Sequence, residues 1–89
     1  MKSRTTDNFW KCYDELPVEV RKQAKEAYRL FERDPFHPCL HFKRVGSTEP
    51  VFSARISRNY RSVGIIQGDT IIWFWIGEHD SYKRLIGRL

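Results

Sequence analysis

The hydrophobic positions of this chain follow two different periods, and the change between them falls at Pro35. In TTDNFWKCYDEL, Phe9, Cys12, Tyr13 and Leu16 recur at helical spacing, with Thr6 or Asp7 placed to cap the N-terminus. PVEVRKQAKEAYRLFERDP then aligns Val20, Ala24, Ala27 and Phe31 along one stripe. Pro17 suits the first turn of this second helix. Pro35 ends it at Asp34, because the residue before a proline is pushed out of the helical region. The other faces carry Lys, Arg, Glu and Gln and read as solvated surface.

Beyond the loop DPFHPC the pattern alternates. LHFKRV sets Leu40 and Phe42 against His41 and Lys43, and VFSARIS sets Phe52, Ala54 and Ile56 against Val51, Ser53 and Arg55, so each predicts a half-exposed strand around the turn-rich GSTEP. YRSVGII and TIIWFWI flank QGDT, whose Gly68-Asp69 is a two-residue hairpin signal. In the last strand Ile71, Trp73 and Trp75 form one face and Ile72, Phe74 and Ile76 the other. Both are apolar, which predicts an interior strand covered on both sides. EHDSYKRLIGRL returns to helical spacing through Tyr82, Leu85, Ile86 and Leu89, with Glu78 and Asp80 in the first turn, where the helix dipole favours acids. KSRTT adds a short edge strand at the start.

The expected fold is α+β: two N-terminal helices packed on a three- to four-stranded antiparallel sheet, with a short C-terminal helix. The economical two-layer arrangement puts the helices on one face. Residues 1–89 form a single domain with no repeat or linker. A chain this small buries only about 60 to 65% of its unfolded surface. Large aromatics must therefore fill much of the core, and six Phe, four Tyr and three Trp do so.

Charge narrows the partners. Sixteen Lys and Arg against eleven Asp and Glu give a formal net charge of +5, which favours a polyanion or an acidic protein. Cys12 and Cys39 stand far apart and outside any CxxC pattern, so neither a disulfide framework nor a zinc knuckle is indicated and a reducing interior is the default setting. MKSRTTDNFW has no apolar stretch behind its basic start, and nowhere do about 18 apolar residues run together; a cytoplasmic protein without membrane contact is expected. His37, Cys39 and His41 alternate in HPCLH, but no fourth ligand is evident and Pro38 disturbs strand pairing, so the segment reads as loop and strand edge, with neither metal nor cofactor expected. Walker, GxGxxG, HExxH and GxSxG motifs are missing.

The candidate chemistry is cationic. A regular hairpin about QGDT pairs Ile65 with Ile72 and Arg61 with Ile76, which brings Arg61 to the sheet end that carries Gly77 and His79. Arg55 lies opposite Arg61 if Ser57, Arg58 and Asn59 form a three-residue loop, whereas a two-residue Arg58-Asn59 turn sends the two arginines to opposite faces. With Arg58, Lys43 and Arg44 they compose an anion site, or they simply keep a basic protein soluble. His79 is able to move a proton near neutrality, since imidazole ordinarily titrates near about 6.5; the plainer reading is a helix-start histidine beside Glu78 or Asp80. Tyr82, a helical turn on, either stacks or donates to a ligand or packs.

As a series, ELPVEVRKQAKEAYRLFERDPFHPCLHFKRV followed by VFSARISRNYRSVGIIQGDTIIWFWIGEHDSY resembles the RelE/ParE superfamily of type II toxin–antitoxin toxins, HigB-like proteins included. The likeness runs from about Phe9 to Ile86. Its most distinctive parts are ARISRNYRSVG and the close WIGEHDSY, similar to a family Gly-x-His-x-x-Tyr ending. The resemblance implies a RelE-like fold and a compact toxin held by a small antitoxin protein. Many relatives cut mRNA in the ribosomal A site without metal, and others poison DNA gyrase. The expected function is thus a ribosome-dependent mRNA endonuclease that inhibits translation, with a gyrase inhibitor or a non-catalytic basic binding module as alternatives. Matched position by position, the resemblance implies catalytic roles for Arg55, Arg61, His79 and Tyr82; Lys43 and Arg44, together with Arg58, are RNA-contact candidates. Ser53 departs from the pattern, standing where some ribosome-dependent members have lysine.

Overall fold

The computed structural model describes residues 1–89 and converts the period change into two layers. Strand β1 (Lys2–Thr5) leads into helices α1 (Asp7–Asp14) and α2 (Val18–Arg33). A meander follows, made of β2 (Lys43–Arg44), β3 (Val51–Ser57), β4 (Tyr60–Gln67) and β5 (Thr70–Glu78), and helix α3 (His79–Ile86) closes the chain. Thr6 is the cap of α1, its Oγ1 accepting the Phe9 N–H at 3.2 Å. Pro17 precedes the first turn of α2 as its cap residue.

The sheet has five strands in the order β1-β5-β4-β3-β2, against the three or four expected. The fifth is the short N-terminal edge strand expected of KSRTT, and it runs parallel to β5, pairing Ser3 with Ile71 and Thr5 with Trp73. With β1 on one side and β4 on the other, β5 is an interior strand, as its doubly apolar pattern requires. No helix is long and apolar enough to cross a membrane.

Phe9, Leu16, Val20, Ala24 and Phe31 of α1 and α2 pack on Ala54, Ile71, Trp73 and Ile76 of the sheet, with Leu40 closing the cluster. Aromatic rings fill this thin core: Phe31 lies 5.0 Å from Phe42 and 5.4 Å from Trp73, both edge-on. Helix α3 packs on the opposite face, where Tyr82 joins Val51 and Val63 with Leu85 and Ile86 alongside. The helices therefore occupy both faces and not one, because the meander exposes a second apolar surface too large for so small a domain to leave to water.

Three local expectations change. LHFKRV is a strand only at Lys43–Arg44; before it Pro38–Leu40 form a 3-10 turn, and His41 takes the left-handed backbone at φ 44°. Proline at the start of that turn and the His37 Nδ1 that accepts the Cys39 N–H at 3.1 Å favour the turn over extension. In β5 the ladder goes from Val63–Trp75 to Gly64–Trp73, so Phe74 is an extra, bulged residue. Ile71, Trp73 and Ile76 consequently share the α1–α2 face, while Phe74 and Trp75 turn to the α3 side. For the same reason Arg61 pairs with Gly77 and not with Ile76. Gly64 permits this crowding, since a Cβ there would come within 2.9 Å of both Ile71 Cγ1 and Trp73 Cε3. The Gly68-Asp69 hairpin turn is as expected, with Gly68 at φ +62°.

Candidate nucleic-acid interface

Whether Arg55 and Arg61 share a face depended on the β3–β4 turn. Ser57 pairs with Tyr60, so the loop is the two-residue Arg58-Asn59 turn, which in a regular hairpin would separate the arginines. A second bulge reverses that outcome: Ile56 is skipped between the Ser57–Tyr60 and Arg55–Arg61 pairs. Arg55 and Arg61 thus stand directly opposite each other, and on across the ladder Arg61 faces Gly77 at the end of β5.

Two cations in direct cross-strand register repel. Neither is neutralised, for the ion pairs of this protein are Lys2–Asp69 and Lys22–Glu19, both far along the chain from the pair. Arg61 is also partly desolvated. Burial first and the Arg55 charge second push its guanidinium below the ordinary arginine range, with Tyr82 acting in the other direction. Arginine nonetheless remains a cation in proteins. Nη1 of Arg61 donates to the carbonyl oxygens of Ser57 at 2.9 Å, Tyr60 at 3.0 Å and Arg58 at 3.3 Å, which pins the side chain over the turn.

The same turn holds His79. The Asn59 carbonyl accepts the His79 backbone N–H at 2.7 Å, fixing the first residue of α3 against the β3–β4 turn. His79 is partly exposed and borders an open cleft of about 280 Å³ with Asn59, Tyr60, Glu78 and Asp80. Its ring centroid lies 5.7 Å from that of Tyr82. Tyr82 itself is only 5% exposed, and its hydroxyl donates to Ser53 Oγ, 2% exposed, at 3.0 Å. That bond ties the start of α3 to the centre of β3.

The remaining cations divide. Lys43 pairs with Ser53, on the face and strand row that carry Arg55, and is exposed. Arg58 is exposed in the turn. Arg44 pairs with Phe52 and so belongs to the other face; its Nε donates to the Gly46 carbonyl at 3.0 Å and its Nη2 to that of Glu49 at 3.4 Å, committing it to the β2–β3 loop. His37, Cys39 and His41 form no ligand cluster. The structure brings together Arg55, Arg61, His79, Tyr82, Lys43 and Arg58, and sets Arg44 apart. Sequence reasoning did not single out Asn59 and Ser53 as the groups that hold His79 and Tyr82. One contact is a backbone carbonyl and the other spans 29 positions, so no local pattern signals either.

A sequence model of the ParE-like toxin domain matches residues 18–84. No individually curated protein matches the chain. Among solved structures, the fold is similar to that in the RelB-RelE antitoxin-toxin complex from Methanococcus jannaschii, with a TM-score of 0.75 and 20% identity over 92% of this chain and 96% of that one. The YoeB/ParE toxin from Agrobacterium tumefaciens gives 0.69 and 20%, covering 89% and 99%. The toxin-antitoxin complex RelBE2 from Mycobacterium tuberculosis gives 0.69 and 21%, covering 86% and 95%. With the family model spanning most of its length, this chain belongs to the ParE-like toxin domain family.

Proposed function

We propose that this protein is the toxin of a type II toxin–antitoxin pair and that it cleaves mRNA on the ribosome. The observation that carries the reading is the uncompensated Arg55–Arg61 pair one ladder position from the strand end where His79 is fixed. Two guanidiniums side by side suit a phosphate, to which arginine donates in bidentate fashion. In the proposed step the ribose 2′-oxygen attacks the adjacent phosphorus and loses its proton, the P–O5′ bond breaks, and the leaving 5′-oxygen gains a proton. A 2′,3′-cyclic phosphate and a 5′-hydroxyl result. Arg55 and Arg61 offset the charge that builds on the phosphoryl oxygens, and His79 is the group of this set able to move a proton near neutrality. Tyr82 positions His79 through its anchorage on Ser53, and Lys43 and Arg58 hold flanking phosphates. The protein is cytoplasmic in this reading, and its partner is a small antitoxin protein, as in the RelB-RelE complex whose toxin shares the fold.

Induced expression is expected to arrest growth and to yield truncated mRNAs, mapped by primer extension, with Arg61→Ala and His79→Ala restoring intact transcripts. Growth arrest with intact transcripts would overturn the reading. The match to a ParE-like model keeps gyrase as the second target. Accumulation of gyrase-cleaved plasmid, undiminished in His79→Ala, selects it. Harmless overexpression selects a non-catalytic binding module.

A further inference from the structure

We propose that Trp75, lying across Gly77, is the platform on which a nucleobase of the bound RNA stacks while its phosphate rests on Arg55 and Arg61. The inference deepens the nuclease reading and rests on it.

Gly77 is where a side chain would stand beside Arg61 on the α3 face. An added Cβ would lie 2.7 Å from Trp75 Cζ2, 2.9 Å from Cη2 and 3.4 Å from Cε2. The six-membered ring of the indole therefore fills the space that a residue at 77 would occupy. Across the ladder the surface reads Arg55, Arg61, indole. The Phe74 bulge makes this possible by turning Trp75 to the α3 side.

Trp75 differs from the other two tryptophans. Trp73 is 6% exposed and packs against Phe31 and Phe42; Trp10 packs against Phe9 and Tyr13. Trp75 has no aromatic partner within the protein and is partly exposed. Its Nε1 has no acceptor in the protein, yet the sole buried side-chain polar atom without a partner is Ser3 Oγ, so the indole N–H reaches solvent. Packing against the cluster of Val51, Val63 and Tyr82 accounts for the buried part of the side chain. Part of the residue nonetheless stays exposed, on the ladder row that carries Arg61 and Arg55. Arg61 is itself held over the turn by its three carbonyl contacts. Bases stack on such rings regardless of sequence, and the adjacent cations take the backbone.

The test uses ribosomes programmed with a short mRNA made non-cleavable by a 2′-deoxy nucleotide at the scissile position, plus a set of the same mRNAs with one abasic nucleotide moved along the site. Trp75→Leu is expected to bind the intact mRNA complex about tenfold more weakly or worse, with Trp75→Phe retaining most of the affinity. At one abasic position, and there alone, wild type and both variants should bind alike. On cleavable mRNA the loss should appear in KM more than in kcat. Should Trp75→Leu fail to fold, wild type alone decides the matter: its binding should fall about tenfold at one abasic position of the set, and equal binding at every position overturns the stacking role. Equal binding by all variants on the intact mRNA, or a loss of the same size at every abasic position, would overturn the stacking role while leaving the nuclease reading in place. A wild-type protein that neither binds nor cuts mRNA overturns both.

Discussion

Replacing Tyr82 by phenylalanine removes one oxygen from the interface between α3 and β3 and keeps the ring that packs there. The Tyr82 hydroxyl and Ser53 Oγ are 3.0 Å apart, in residues only 5% and 2% exposed, so neither group can turn to water when its partner is lost. A buried hydroxyl left without a partner costs about 1–3 kcal/mol, and Tyr82→Phe and Ser53→Ala should each destabilise by that amount. In the double variant no orphan remains, so it should be no less stable than the worse single, a coupling of about 1 kcal/mol or more. For a domain of this size each kcal/mol moves Tm by about 4–8 °C, well within reach of thermal and urea denaturation at fixed pH. The m-value should stay constant, marking a change in stability and not in compactness. Additive single effects, with coupling under about 0.3 kcal/mol, would refute the claim that this bond anchors α3.

Arg55→Gln should abolish RNA cleavage and yet stabilise the fold by about 0.2–1 kcal/mol at low salt, the size of a like-charge cross-strand term, shrinking as salt screens it; a destabilised Arg55→Gln would mean that the two arginines are not in opposition. Gly77→Ala must displace the Trp75 ring, so a loss of about 1–3 kcal/mol and a changed near-UV spectrum are expected, and an unaltered spectrum would contradict the placement of the indole. Ser3→Ala removes the one buried hydroxyl without a partner and should be neutral or stabilising by thermal denaturation.

The sheet end that carries the site was legible because punctuation and period are local properties. Pro17 and Pro35 bound α2 through backbone sterics, the Gly68-Asp69 turn sets the β4–β5 hairpin, and the doubly apolar run Ile71–Ile76 requires an interior strand whose exit presents His79. Arg61 lands near Gly77 on that basis alone, one position from where a regular ladder would put it.

Side chains alternate with period two, so a single extra residue sends everything beyond it to the other face, and no local propensity announces the extra residue. Ile56 and Phe74 are two such residues. The first sets Arg55 against Arg61, and the second turns Trp75 away from Trp73 and toward the site. What selects these bulges is the packing of whole elements: Trp73 and Ile76 both seat beneath α1 and α2, and Val63 and Trp75 meet Tyr82 on the far side. Sequence alone could place the cationic, histidine-bearing end of the sheet. The tertiary contacts chose which side chains face one another there, because burial is settled between surfaces that meet only when the chain is folded.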